Sequence, residues 1–363
     1  MILPLPASDN FGVYIHIPFC SKRCDYCAFA TWDDRGHLQT NYMAALRTSV
    51  QQAVASGIET VDTVFVGGGT PSLVDPQQLL AVIHELPLSS NPEITIECNP
   101  DNITAELMDA YAAGGVNRIS MGVQSMIENV LKILGRQHNP QNVIKAVAYA
   151  KAAGIKEVNM DLIYGSVGES IGDFETTIRR IIDLQPTHVS AYGLTVESGT
   201  PLAQDPTRFP DDDDQADKYL LANQLLEQAG YFNYEISNWA KPGSECRHNL
   251  LYWRQGNYLG FGCAAHSHRN GRRWWNVRTP DRFIDLVSSG GLLETASETL
   301  TENERKLEKS QLALRTREGV SRDHFQQLDL ESVKDFIIEQ VDQIVLNPTG
   351  RLLANEISHL LIT

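Results

Sequence analysis

Short runs rich in apolar and β-branched residues recur along the chain, at 13–18, 63–68, 94–99, 118–123, 157–164 and 188–196. The first alternates with a period of two, Val13, Ile15 and Ile17 sharing one side, which is the pattern of a strand with one buried face. Between the runs the period lengthens to that of a helix. Gln77 to Glu85 follows Pro76, and Asn142 to Ala152 ends at Gly154, a residue that can take the left-handed conformation that closes a helix. Six β/α units of this kind predict an α/β fold whose parallel sheet carries its helices on the outside. In such barrels the chemistry gathers in the loops at the C-terminal strand ends. Candidates stand at each of them: three cysteines after the first run, Gly67-Gly68-Gly69-Thr70-Pro71-Ser72 after the second, Glu97 and Gln124 ending the third and fourth, Asp161 within the fifth and Thr195 near the end of the sixth.

The cysteines change the picture most. VYIHIPFCSKRCDYCAF, residues 13–29, holds Cys20, Cys24 and Cys27 at the spacing C-x-x-x-C-x-x-C in a loop just past Pro18. Thiolates are soft ligands suited to iron–sulfur clusters or zinc, and three of them on a four-iron cubane leave one iron open for chemistry. A zinc knuckle would want a fourth ligand that this loop lacks, and a third reading is a chance grouping of buried thiols. With three of six cysteines bunched, metal ligation in a reducing compartment is expected in place of a disulfide framework, and so a cytoplasmic protein. The beginning, MILPLPASDN, has no basic start and no apolar core of signal-peptide length, and no apolar run approaches the roughly 20 residues that span a bilayer. A net charge of −15 repels phosphate backbones, which excludes nucleic acid as an expected partner.

The rest of the 363 residues suffices for one large barrel-like domain and a small appendage. Asp211 to Asp214 precedes a helical pattern from Gln215 to Gly230, where negative charge at a helix start needs no metal to explain it. Residues 234–258 crowd Trp239, Cys246, His248, Tyr252, Trp253 and Tyr258 together, which suits a flat macrocycle and equally an ordinary core. Cys98 and Cys263 read as small buried hydrophobes. In the tail, residues 301–363, short helices lead to a strand at 343–346, a turn at Asn347-Pro348-Thr349-Gly350 and a last helix from Arg351. Its eight Lys and Arg against eleven Asp and Glu oppose DNA binding and favour a cap or a protein-contact surface.

GGGTPS at 67–72, IECNPD at 96–101, NRISMGVQS at 117–125, LGRQH at 134–138, VNMDLIYG at 158–165 and HNLLYW at 248–253, together with the cysteine loop, span most of the chain in a fixed order. In these the sequence resembles the radical S-adenosylmethionine (SAM) proteins, and among them the branch of coproporphyrinogen dehydrogenases and heme chaperones. The resemblance implies a partial (β/α)6 barrel with a mainly helical, winged-helix-like C-terminal appendage. It also implies a [4Fe-4S] cluster that binds SAM at its open iron and cleaves it to a 5′-deoxyadenosyl radical. Carried over by position, Cys20, Cys24 and Cys27 hold the cluster, and Tyr14, Gly68, Glu97 and Thr195 surround SAM. Tyr26, Gly69, Thr70, Gln124, Arg136 and Asp161 match the lining of a second SAM site of the dehydrogenase.

Where that family shows a glycine-leucine-proline turn, this chain has Gly165-Ser166-Val167-Gly168-Glu169. The dehydrogenase pattern has a fourth cysteine where Phe29 stands here and a long arm ahead of the cluster, against 19 residues before Cys20. Both differences, and HNLLYW, point to the heme-chaperone branch, so that heme becomes an expected ligand, with His248 as its first candidate ligand and His16, His266, His268 and Cys246 as rivals. An apo-haemoprotein, for instance one of the respiratory membrane, becomes the expected recipient. Residues 1–235 are expected to form the core, 236–300 the heme-associated segment and its connection, and 301–363 the appendage.

Overall fold

The computed structural model describes residues 5–7 and 9–361; part of the N-terminal stretch read above for a leader, and the last two residues of the expected appendage, lie outside them. Six strands run in the order foreseen: β1 (Phe11–Ile17), β2 (Val61–Gly68), β3 (Leu88–Cys98), β4 (Arg118–Gln124), β5 (Glu157–Tyr164) and β6 (His188–Gly193). Each pairs in parallel with the next. Between them lie α1 (Gln39–Ala55), α2 (Pro76–Ile83), α3 (Ala105–Ala113), α4 (Glu128–Ile133), α5 (Pro140–Ala152) and α6 (Ile171–Asp183), and α7 (Asp212–Gln228) comes after β6.

Alternation explains the layers. Val13, Ile15, Val64, Val66, Ile94, Ile96, Ile119, Met121, Val158 and Met160 turn to the helical side and are buried there. They meet apolar helix faces such as Phe174, Ile178 and Ile181 of α6, spaced as one helix face requires. The opposite side of the sheet is polar and aromatic. In register across it stand Tyr14, Phe65, Thr95, Arg118 and Glu157. A parallel sheet this size normally buries both faces, and a polar inner face leaves room for ligands. Helix starts are capped as their sequences dictate: Asn139 and Ser170 form capping boxes, and Asp211 accepts from the Asp214 N–H at 2.9 Å, which accounts for the acidic run as helix-terminal chemistry.

The sheet does not stop at six strands. β7 (Phe232–Glu235) and β8 (Asn238–Ala240) extend it beyond β6. After α8 (Arg247–Trp253), β9 (Asn257–Phe261) pairs in parallel with β1 at the other edge. An antiparallel ribbon continues from there: β10 (His266–Arg269), β11 (Arg272–Asn276) and, after α9 (Pro280–Ser289), β12 (Glu294–Thr299). Among the described residues the result is one open sheet of twelve strands, not a closed barrel. Helix α10 (Glu302–Leu314) leads to a small antiparallel sheet of β13 (Val320–Ser321), β14 (Ile337–Glu339) and β15 (Gln343–Leu346), with its own core around Leu314, Phe325, Leu330 and Ile344. The turn expected at 347–350 is instead the start of a short helix, Pro348–Leu352: Asn347 accepts from the Gly350 N–H at 2.8 Å and Pro348 occupies the first helical position, where its missing N–H does no harm.

Candidate functional site

The cysteine loop is held at both ends. Trp32 N donates to Pro18 O at 2.8 Å and Cys20 N to Trp32 O at 3.0 Å, closing its base. Two further backbone bonds, Gly69 N to Ile17 O at 2.7 Å and Thr70 N to Phe19 O at 2.8 Å, fasten it to the glycine loop after β2. The close approach explains the glycines. A Cβ on Gly69 would lie 2.5 Å from Phe19 O, and one on Gly68, whose φ is +112°, would lie 2.4 Å from the His16 ring. His16 itself donates from Nε2 to Ala30 O at 2.8 Å and accepts from the Tyr14 hydroxyl at 3.0 Å; burial lowers its pKa to about 4, so it is neutral.

The three thiols are half-buried. Thr70 Oγ1 lies 3.9 Å from Cys20 Sγ and Arg136 Nη1 lies 3.4 Å from Cys24 Sγ. Burial raises the Cys20 thiol, hydrogen bonds from Thr70 and Thr31 oppose that, and Cys27 and Cys24 add to it. Among the described residues no three His, Cys, Asp or Glu side chains converge as a single metal ion requires. The loop supplies three thiols where a zinc knuckle takes four ligands, whereas a four-iron cubane held by three thiolates keeps one iron open. Cys98, Cys246 and Cys263 are buried, and burial pushes each thiol up, which makes them inert.

A cavity of about 420 Å³ opens above the loop, within the range of small-molecule sites. Twelve of the expected residues line it: Cys20, Cys24, Tyr26, Cys27, Gly68, Gly69, Thr70, Glu97, Gln124, Arg136, Asp161 and Thr195. Strand ends aim them. Gln124 has φ +64°, and the register of β4 against β5 shifts between Gly122 and Gln124, a bulge that redirects the side chain at the rim. Arg136 reaches in from the loop after α4, fixed by Asn99 Oδ1 at 2.8 Å and Gly122 O at 2.9 Å. Glu97 accepts from the Gly68 N–H at 3.0 Å; burial and the Asp161 carboxylate raise its pKa to about 7. Burial likewise raises Asp161, against bonds from Ser120, Ser190 and Asn159. Two carboxyls kept from water, only one of which, Asp161, feels the charge of Arg118, make a receptive place for a cationic ligand.

Tyr14 and His248 are placed differently. Both line a second cavity of about 160 Å³ inside the sheet, which shares Glu97, Asp161 and Tyr192 with the first. His248 is 1% exposed, its Nδ1 2.8 Å from Thr63 Oγ1 and its Nε2 2.8 Å from the Tyr252 hydroxyl. Burial lowers it to about 3. With both nitrogens bonded, a lone pair reaches a heme iron only after the Thr63 or Tyr252 bond opens. The ring belongs to a file that starts at Tyr14 and passes through Phe65, His248, Tyr252 and Tyr258 to His268.

Three further residues bear on the site that residue-by-residue reading did not single out. Asn99 joins Arg136 to Thr70, and IECNPD contains it. Tyr192 lines both cavities and carried no signal beyond its strand. Arg118, 2% exposed, has Nη1 bonded to Ser244 O at 3.1 Å and lines the inner cavity. In the changed turn, Glu169 accepts from the Gly165 N–H at 2.8 Å and pairs with buried Lys218 of α7 at 3.5 Å, which ties the turn to that helix.

An open sheet of parallel strands carrying a three-cysteine loop and a glycine loop at one rim is the arrangement of the radical SAM proteins, and residues 14–181 match the Radical SAM superfamily. The fold is that of coproporphyrinogen III oxidase (HemN) from Escherichia coli, a radical SAM enzyme, with a TM-score of 0.84 over 97% of this chain and 90% of that one at 22% identity. In sequence the chain is 36% identical to the protein named heme chaperone HemW of Mycobacterium tuberculosis, across 99% of this chain and 97% of that protein. It is 42% identical to the Escherichia coli protein of the same name across 70% and 69%. The chain belongs to the family of these HemW proteins. The radical SAM domain brings a [4Fe-4S] cluster and SAM as cofactors. Among the described residues no helix is long and apolar enough to cross a membrane.

Proposed function

We propose that this protein binds heme on its radical-SAM scaffold and delivers it to an apo-haemoprotein. The 36% identity to a relative named as a heme chaperone, over nearly the whole of both chains, carries the reading. Phe29, 68% exposed at the mouth of the cofactor cavity, supports it, because the dehydrogenase pattern has its fourth cysteine there. In this reading Cys20, Cys24 and Cys27 hold the cluster, and Tyr14, Gly68, Glu97 and Thr195 surround SAM. Tyr26, Gly69, Thr70, Gln124, Arg136 and Asp161 line the space where a second SAM would lie. When bound, the cluster and SAM supply one-electron chemistry. The chain's own work is placement: Glu97 and Asp161 receive the cationic groups of the ligand, and Arg136, braced by Asn99, orients a carboxylate. The grouped thiols favour a reducing, cytoplasmic setting.

The competing reading is SAM-dependent oxidative decarboxylation of coproporphyrinogen; the structural neighbour is named a coproporphyrinogen III oxidase. Anaerobically reconstituted protein should bind heme saturably and transfer it to an apo-haemoprotein, while coproporphyrinogen, SAM and a reductant should yield no protoporphyrinogen. Sustained decarboxylation without heme transfer would reverse the assignment.

A further inference from the structure

The expected heme ligand His248 is walled in, which raises the question of which imidazole in this fold is open to iron. Seven of the ten histidines are engaged through ring nitrogens: His16, His84, His138, His188, His248, His268 and His324. Both nitrogens of His268 are taken, one by Gly256 O at 2.8 Å and one by the Gly271 N–H at 3.0 Å. His37, His266 and His359 are exposed. Of these three, His266 alone has an aromatic neighbour among the described residues: its ring stacks on Trp275 at 5.4 Å between centroids, with planes 25° apart.

The sheet register places this pair. His266 of β10 stands opposite Trp275 of β11, and Trp275 stands opposite Ala296 of β12, so imidazole, indole and methyl share one cross-strand row on one face. Two residues along β10, His268 points to the same face and stands opposite Tyr258, the ring at which the file from Tyr14 through His248 and Tyr252 arrives. The HNLLYW helix and the His266 row therefore meet the same side of the sheet. A flat porphyrin needs an imidazole with a free lone pair and an apolar, planar surface to lie against. The row supplies both, its small Ala296 leaving the far end open. Partial burial lowers the His266 pKa, which keeps the ring neutral at physiological pH.

We propose that His266 is the axial ligand to heme, with Trp275 as the surface on which the ring lies; the inference rests on the heme-binding reading above. The test is a hemin titration of the full-length, cluster-reconstituted chain, followed in the Soret band, for wild type, His266→Ala, Trp275→Leu and Ala296→Arg. Iron content and circular dichroism check that each variant is folded. Wild type should show a saturable, imidazole-ligated Soret band. His266→Ala should lose that band shape and bind at least ten-fold more weakly, and added imidazole should restore the spectrum, which a merely structural role for His266 would not produce. Trp275→Leu should weaken binding with the ligation signature intact. Ala296 is exposed on an edge strand, so Ala296→Arg perturbs no core and should weaken binding by obstructing the row; it keeps the test decisive if His266→Ala fails to fold. A wild-type band retained unchanged in His266→Ala, or in Ala296→Arg where the former does not fold, overturns the assignment of His266 while leaving heme binding intact. Absence of any saturable band in wild type overturns the heme-binding reading itself, and this assignment with it.

Discussion

Replacing Glu97 by Gln probes the cofactor cavity through stability, with no cofactor present. Burial is the largest cause raising Glu97 from its ordinary 4.5 to about 7, the Asp161 carboxylate adds to it, and the Gly68 N–H opposes both. A carboxyl with a folded pKa above its unfolded one holds its proton more tightly in the folded state. Its stabilising contribution is therefore complete below about 4.5 and is lost as pH rises through about 7. The span from 4.5 to about 7 corresponds to roughly 3 kcal/mol, an upper figure because the residue keeps some contact with water. Glu97→Gln keeps the shape and removes the charge. Cluster-free protein carrying it should be about 1–3 kcal/mol more stable than wild type at about pH 8, and its stability should vary less between about pH 5 and 7.5. Asp161, raised in the same direction, leaves a residual slope. Urea unfolding followed by circular dichroism across this pH range measures both quantities. After cluster reconstitution, the same variant should bind SAM about ten-fold more weakly or worse, since an amide receives an ammonium group less well than a carboxylate does. A variant no more stable than wild type at pH 8, or one that keeps the full slope, would refute the idea that the fold holds this carboxyl out of water for a cationic ligand.

Alanine at Cys20, Cys24 or Cys27 should abolish the cluster, whereas alanine at buried Cys98 or Cys263 should leave about four irons per chain by iron analysis; the reverse pattern would move the cluster elsewhere. Gly69→Ala puts a methyl 2.5 Å from Phe19 O, so the two loops must separate and iron retention after gel filtration should drop; full retention would show that the glycine loop does not position the cysteines. Arg118→Met removes a buried guanidinium 3.6 Å from Glu157 and 3.9 Å from Glu93. It should destabilise by about 3 kcal/mol or somewhat more, read as a lower urea midpoint, and a loss below about 1 kcal/mol would mean that the backbone N–H groups bonded to Glu93 suffice for it.

The sequence alone determined the six β/α units, the cysteine loop and the rim at which the reactive residues would meet. Those features are local: a period of two or 3.6, a proline or glycine stop and a cysteine spacing are all written within a few residues of each other. Local pattern also accounts for the capped start of α7 at Asp211. It misread Asn347-Pro348-Thr349-Gly350 as a turn, because the residues that initiate turns also cap helices, and the chain beyond Gly350 decides between the two.

Only the tertiary structure decided what happens at the open edges and inside the sheet. β9 pairs with β1 across more than two hundred residues, and no pattern within either strand names its partner, since backbone hydrogen bonds are alike wherever they form. The fate of His248 was decided in the same way. In sequence it is an imidazole in an aromatic stretch, suited to iron or to a core; Thr63 Oγ1, 185 residues earlier, and Tyr252 occupy both of its nitrogens once the chain is folded. Whether a side chain's lone pair is free depends on which groups the fold brings within about 3 Å, and those contacts come from parts of the chain that no local reading connects.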